Sequence, residues 1–407
     1  MFSKTIPETT SEKKITITLA LVLALRITGL CMIIPVLELY SNNLTEVTPF
    51  LIGVAIGIYG ITQAFCQIPL GMLSDKIGRK PVILVGLIVF TLGSLIAATA
   101  DSIYLIILGR SIQGAGAISS VILALATDIV KEENRVKTLA AIGASIGVGF
   151  AVALPLGTFL ANYLQLKGLF IVAAALSMIA IAIIVYNIPA EPKNKTEIIS
   201  RHNYKELLGN VLKDRKLFKI NLGIFKLHFV LTLFFLAIPK LLVTANLAKE
   251  DHWLLYLIAF SVSFIFLIPM MIASSRNNNK NFNKVFSSAI MMLITALSLL
   301  FFAQNNQIQL ISALILFFVG FNYLEASLPS LVSKKCNPKQ KGAAMGVYSS
   351  CQFVGAFLGG IIGGFIYNNF DTLAILATAT IMSFLWLLIT NANLLINKNK
   401  TKQDNQI

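Results

Sequence analysis

Five ionisable side chains sit where water should be scarce. Arg26, Arg110, Lys226, His228 and Glu325 all fall inside long apolar runs. Charged residues in such runs are costly in lipid, so they face a bundle interior or a water-filled cavity and mark functional sites. Glu325, in Phe321-Asn322-Tyr323-Leu324-Glu325-Ala326, is the one deeply placed carboxylate. Apolar surroundings favour the protonated form of a carboxyl group, so Glu325 is the candidate to carry a proton, with His228 as its relay. The competing readings are a Glu held in a fixed ion pair and a His hydrogen-bonded within the bundle. Lys226 lies two residues from His228 and points to a different side of the helix. It either faces a cavity or extends toward the membrane surface. Three cations against one acid would favour an anionic substrate if all lined one cavity. Arg26, Gln113, Lys226 and Asn322 are therefore the candidate cavity residues.

The elements that position these groups follow from hydropathy. The chain is 56% hydrophobic and 13% charged, with a mean hydropathy of +0.79, which no ordinary soluble domain matches. Twelve apolar runs are each long enough to cross a bilayer as a helix, at roughly 16–40, 51–73, 81–100, 103–127, 137–161, 167–188, 218–242, 253–274, 284–303, 308–330, 342–368 and 371–396. The expected fold class is an all-α polytopic membrane protein. A net charge of +15 does not point to nucleic acid, because of where the charges lie. All but six of the 33 Lys and Arg fall in segments on one face. The six are Arg26, Arg110 and Lys226 within spans and Lys167, Lys240 and Lys249 on the opposite face. By the positive-inside rule the basic face is cytoplasmic, with both termini on it; lipid headgroups are partner enough for these cations. Cys31, Cys66, Cys336 and Cys351 show no metal or disulfide spacing and read as small packing residues. His202, His228 and His252 do not cluster, and no phosphate-binding Walker loop is present. The first apolar run is too long for a signal peptide, contains Arg26, and reads as a retained helix.

Residues 189–217 form the one long polar connection, dividing six spans from six. The expected organisation is a tail at 1–15, a six-helix bundle at 16–188, the linker at 189–217, a second bundle at 218–396 and a tail at 397–407. Within the linker, Tyr204, Leu207, Leu208, Val211 and Leu212 recur at helical spacing. They suit an amphipathic helix on the membrane face, or a partly ordered solvated linker. The halves echo each other. Ala-Ala-Ile-Gly143 and Ala-Ala-Met-Gly346 each follow a polar turn and open a Gly-rich span. Parallel six-helix repeats around a midplane cavity are a transporter plan.

The short charged turn Gly71-Met72-Leu73-Ser74-Asp75-Lys76-Ile77-Gly78-Arg79-Lys80-Pro81 joins the second and third runs. Its pattern, G-x-x-x-D-x-x-G-R-[RK], resembles the helix 2–3 loop signature of the major facilitator superfamily. That resemblance implies two six-helix bundles and a secondary transporter working by alternating access. It also implies a latch between bundles: Asp75 facing the start of span 11 near Gly342, and Arg79 paired with Asp128 at the end of span 4. Gly71, Gly78 and Lys80 belong to the same loop. A carboxylate at a helix N-terminus gains ~0.3–1 kcal/mol or more when partly buried. In span 4, Gly109-Arg110-Ser111-Ile112-Gln113-Gly114-Ala115-Gly116 resembles the superfamily motif R-x-x-Q-G-x-[GA]. There Arg110 either takes part in proton coupling or substrate binding, or is locked by backbone carbonyls. Span 5, with Gly143, Gly147, Pro155 and Gly157, departs from the antiporter motif G-x-x-x-G-P-x-x-G-G, since no Pro follows Gly147 or Gly149 directly. Close helix packing with a Pro kink accounts for these four residues.

The resemblance spans essentially the whole chain and is greatest to YajR-type members of the drug/proton antiporter group, without their added C-terminal soluble domain. Where several of those antiporters hold a carboxylate in helix 1, this chain has Arg26, with Glu38 only near the outer end. The resulting expectation is proton-coupled export of a small organic compound, anionic if the cations face the cavity. Proton-linked uptake of a nutrient or metal chelate is one alternative, and a non-transporting receptor or scaffold another. The setting is the bacterial inner membrane, with a small molecule and the bilayer as partners and a monomer sufficient for function. No enzyme activity, metal, nucleic acid or cofactor is expected, and H+ is the expected coupling ion.

Overall fold

Lipid offers no hydrogen bonds to a backbone, so each apolar run must satisfy its own peptide groups as a helix. The computed structural model describes residues 8–189, 201–275, 278–303, 306–337 and 340–404. It is built from α1 (Glu8–Cys31), α2 (Ile34–Tyr40), α3 (Pro49–Ile77), α4 (Arg79–Ala98), α5 (Ile103–Ala115), α6 (Ser119–Ile129) and α7 (Glu132–Asn187) in the first half. The second half holds α8 (Arg201–Lys213), α9 (Arg215–Thr244), α10 (His252–Ser275), α11 (Asn278–Phe302), α12 (Gln307–Lys335), α13 (Lys341–Asn369) and α14 (Thr372–Asp404). Among the described residues eleven segments are long and apolar enough to cross a membrane. One of them, α7, holds two crossings that meet at Gln165, where φ is 55°. This gives the twelve crossings the hydropathy predicts, in two bundles of six.

Local chemistry sets the helix boundaries. Thr48 caps α3, its hydroxyl accepting from the Leu51 amide, and Pro49 follows at the first turn, where its missing N–H costs nothing. Asp214 caps α9 and Asn306 caps α12 in the same way. Gly78 ends α3 at φ 97°, a conformation that favours glycine, and the chain turns at once into α4. Two crossings expected to be continuous are broken. The first divides between α1 and α2 just ahead of Pro35, which cannot donate to the helix. The fourth divides between α5 and α6 at residues 116–118, where Gly116 leaves the helix and exposes its carbonyl.

Two ends can be told apart: a basic end carrying the 71–81 loop, the start of α7 and the start of α13, and a far end carrying the 41–48, 245–251 and 370–371 turns. At the far end the halves touch. Gly53, Gly57 and Gly60 of α3 lie against Phe353, Phe357, Gly360 and Gly364 of α13, backbone on backbone. Aromatic rings continue the seam. Phe150 of α7 meets Phe260 of α10 and Phe321 of α12 at centroid distances of 5.7 and 5.8 Å. Phe159 meets Trp253 at 5.6 Å, and Tyr59 meets Phe353 at 6.2 Å. At the basic end the halves are apart. Gly143, Gly147, Gly342 and Gly346 have open space where a side chain would stand. The cavity between the halves therefore opens toward the basic end and is sealed at the far end.

Linker residues 190–200 lie outside the described residues. Beyond them α8 is a helix whose Val211 is buried, with Leu207 and Leu208 packed on the core and Leu212 exposed. It turns its apolar face onto α9 and α13 rather than presenting all of it to lipid.

The close α3–α13 contact sets a first expectation. A Cβ at Gly57 would lie 2.8 Å from the Phe357 carbonyl oxygen and 3.0 Å from its Cα, both backbone atoms that cannot swing aside. Gly57→Leu should cost the sealed far end on the order of 1–3 kcal/mol, a roughly 5- to 150-fold fall in its population relative to an opened one. Spin-label distances across the far end would read the shift.

Candidate transport site

Glu325 sits one turn along α12 from Phe321, on the basic side of the aromatic seam, where the cavity begins to open. Gln352 of α13 bridges it to His228 of α9. The Gln352 amide nitrogen lies 3.1 Å from Glu325 Oε1 and 2.8 Å from His228 Nε2. With two amide hydrogens it can donate to both. His228 Nε2 and Glu325 Oε2 are 3.9 Å apart, too far for a direct hydrogen bond. Glu325 Oε2 has no partner of its own. The Glu325 side chain is 29% exposed and that of His228 13%, while Glu325 Oε2 and His228 Nδ1 are themselves enclosed. Asn322, a turn away, donates to Ser263 Oγ of α10 at 2.7 Å. Four helices thus meet around one carboxyl group and one imidazole. Such a set can hold a proton, pass it over a short distance, and sense whether a polar molecule occupies the cavity.

The arginines are placed differently. Arg26 is fully buried within the first half. Its guanidinium donates to Ser119 Oγ (3.2 Å), Tyr59 Oη (3.0 Å), Gln63 Oε1 (3.2 Å) and the Gly116 carbonyl freed by the break in the fourth crossing (3.0 Å). Arg110, 2% exposed, donates to the Ala55 carbonyl and Gln113 Oε1, each at 3.2 Å, and stacks over the Tyr59 ring at 5.1 Å. Gln113 in turn donates to Ser94 Oγ at 2.7 Å. Among the described residues no carboxylate pairs with either arginine. Their terminal nitrogens find carbonyls, amides and hydroxyls, which is how a buried guanidinium is tolerated, although Arg26 Nε is enclosed without a partner. Arg26 and Gln113 are thus buried among partners in the first half, and the condition under which three cations would line one cavity is not met in this structure. Lys226 is 5% exposed, has no acidic partner among the described residues, and lies outside the His228–Gln352–Glu325 set.

The 71–81 loop is knitted into the first half. Arg79 contacts Asp75 (2.5 Å), Ser74 Oγ (2.6 Å) and Asp128 at the end of α6 (3.0 Å). Lys80 donates to the Val185 carbonyl at 3.2 Å and to that of Ile188, at the end of α7. Asp75 thus faces Arg79, not the start of α13, and Gly342 has open space around it. With the basic end apart, the expected contact between halves has no partner to reach. Gly71 has only the Ser120 hydroxyl within van der Waals range of an added Cβ. In α7, Gly157 packs on the Met32 backbone and Gly149 on Ala24, whereas Gly143 and Gly147 pack on nothing and Pro155 is buried.

Sequence reasoning passed over Gln352, Ser263, Tyr59 and Ser94. Each is a polar residue in an apolar span, and that was the available signal. A contact at the far end was also missed: Tyr367 of α13 donates to Glu38 Oε1 at 2.9 Å across the two halves.

A two-bundle membrane protein with a polar site in one half, beside the cleft between the two, has the plan of a carrier for small molecules. The family model described as Major Facilitator Superfamily matches residues 19–360 and 282–406, and the chain belongs to that superfamily. It is 40% identical to the inner membrane transport protein YajR of Escherichia coli (strain K12), over 94% of this chain and 84% of that one. It is 26% identical to the quinolone resistance protein NorA of Staphylococcus aureus (strain COL), over 84% and 86%. The crystal structure of a D-xylose-proton symporter shares the fold, with a TM-score of 0.75 at 15% identity over 93% of this chain and 96% of that one. The chain is thus a multi-pass inner-membrane transporter and not an enzyme, in a superfamily whose members work without a cofactor.

The Arg26 network predicts a structural role. Arg26→Lys keeps the charge but loses the planar fork, leaving Tyr59, Gln63 or the Gly116 carbonyl without a donor. The expected loss is about 1–3 kcal/mol, read as a lowered melting temperature of the purified protein in detergent.

Proposed function

We propose that this protein is a proton-coupled exporter of a small organic compound, working by alternating access, with the basic end and both termini in the cytoplasm. The observation that carries this reading is Glu325. It is the carboxylate at the meeting point of α9, α12 and α13, partly exposed on the basic side of the aromatic seam and bridged to His228 by Gln352. Protonated, Glu325 tolerates an apolar, sealed cavity; ionised, it prefers water or a polar guest. A cycle in which proton and substrate alternate at Glu325 follows. The open basic end is then the inward-facing state. Positive-inside charge supports that orientation, and the likeness to a quinolone resistance protein supports export. With both arginines consumed by internal bonds, an anionic substrate has no free cation at Glu325 to recognise it, and a neutral or cationic compound fits the site better.

In the outward-facing state the basic end closes, and Asp75 is then the residue placed to meet the positive N-terminus of α13. Asp75→Asn should insert normally and transport poorly, measured as substrate flux in proteoliposomes against the amount of protein incorporated.

Glu325→Gln removes the proton site while keeping an acceptor for Gln352. Mass spectrometry of medium and cell extracts would compare cells expressing the intact protein, cells without it, and cells expressing the variant. The expected result is a compound that accumulates outside only with the intact protein. A compound enriched inside instead would mean uptake. Gradient-driven transport that survives in the variant would remove Glu325 from the mechanism.

A further inference from the structure

The contact between Glu38 and Tyr367 joins residues 329 apart in sequence and is a side-chain hydrogen bond directly across the sealed far end. Glu38 stands on α2, the short helix after the Pro35 break, and Tyr367 on the last turns of α13. Glu38 Oε1 accepts from the Tyr367 hydroxyl at 2.9 Å, while Oε2 is enclosed and has no partner. An ionised carboxylate has about four acceptor sites to satisfy, and closure leaves it one donor. Water supplies the rest when the end is open and is excluded when it is shut. Closure is therefore easier for the neutral acid, whose unpartnered hydroxyl is a smaller cost than an unpartnered charge.

The charged and titratable neighbours do not remove this asymmetry. From α9, the ammonium of Lys240 lies over the Tyr367 ring, 5.0 Å from its centroid, and makes no ion pair with Glu38. Lys240 is exposed, so its charge is hydrated. From α10 the facing group is Tyr256, whose hydroxyl is itself unpartnered. The first two turns of α3 carry no titratable side chain. Toward α7, Tyr40 donates to the neutral Asn162 at 2.8 Å, and Lys249 lies over the Tyr40 ring at 4.9 Å beside Glu250.

We propose that Glu38 is a second proton-responsive residue of the transport cycle, a positioning residue that lets the far end close when it takes up a proton and drives it open when it loses one. The proposal rests on the reading of the protein as proton-coupled, with the far end outside. External acid then promotes closure of the external side, the step that commits a proton-loaded carrier to turn inward. Glu38 acts on the position of the halves and does not touch the transported compound.

The test is a distance measurement on the full chain in lipid nanodiscs, without substrate. Spin labels at Thr99→Cys and Asn369→Cys, in a background lacking the four native cysteines, span the far end. In the parent the open fraction should rise from acid to alkaline pH. Glu38→Gln, which can still accept from Tyr367, should hold the far end closed at every pH, so that its alkaline distribution matches the parent's acid one. Glu38→Asp should restore a pH response. Tyr367→Phe should raise the open fraction throughout while keeping the response, a result that a merely misfolded protein would not give. A parent with no pH response, or a Glu38→Gln variant that responds as the parent does, would overturn the proposal. The distances are read without substrate, so this outcome is independent of whether the Glu325→Gln comparison supports proton-coupled export.

Discussion

The contact on which the rest of the architecture depends is the backbone-to-backbone approach of α3 and α13. Glycines at 53, 57 and 60 on one helix, and at 360 and 364 on the other, let two crossings from different halves come closer than side chains would permit. In lipid no hydrophobic force draws helices together, so close packing of this kind must supply the attraction. Because the contact lies wholly at the far end, it fixes where the cavity is sealed and where it opens. The aromatic seam of Phe150, Phe260 and Phe321 sits at the floor of the opening, and the Glu325 set stands just above it. Among the described residues nothing comparable holds the basic end, where Gly143 and Gly147 of α7 and Gly342 and Gly346 of α13 face open space.

The first half solves a different problem, that of carrying two guanidinium groups with no carboxylate beside them. Removing such groups from water is expensive. The break in the fourth crossing is part of the solution, since an unbroken helix would have committed the Gly116 carbonyl to its own ladder. Freed, it takes a hydrogen bond from Arg26. Tyr59 serves both arginines, accepting from one through its hydroxyl and offering its ring face to the other. This leaves the first half rigid and electrostatically occupied. The second half keeps the groups able to change their bonds: a carboxyl with an idle oxygen, an imidazole and an amide between them.

Most of the fold was legible in the sequence, because bilayer thickness and backbone satisfaction leave few options for twenty apolar residues in a row. The family followed from one loop whose glycines and charges are spaced for a specific turn, and Arg79 does reach Asp128. The breaks near Pro35 and at Gly116 were not legible. Hydropathy does not change there, and the reason for the second break is a partner ninety residues away. The fate of the intramembrane charges was half legible. Their types announced that they matter, but whether a given Arg lines a cavity or is consumed by neighbours depends on tertiary contacts such as Tyr59 and Gln63. The bond between Glu38 and Tyr367 was hidden for the same reason, since it exists only when two distant helix ends meet.

The stitching around the 71–81 turn has a mechanical consequence. Arg79 ties the end of α3 and the start of α4 to the end of α6, and Lys80 ties the start of α4 to the end of α7. These bonds all lie within one half and act as a strut across four crossings at the basic surface. A tilt of that half against the other leaves these bonds unstrained, because each of them joins two residues of the same half. The half can therefore swing like a stiff lever about the glycine seam. The force of any event at the far end is then delivered as displacement at the basic mouth rather than absorbed as bending along the way.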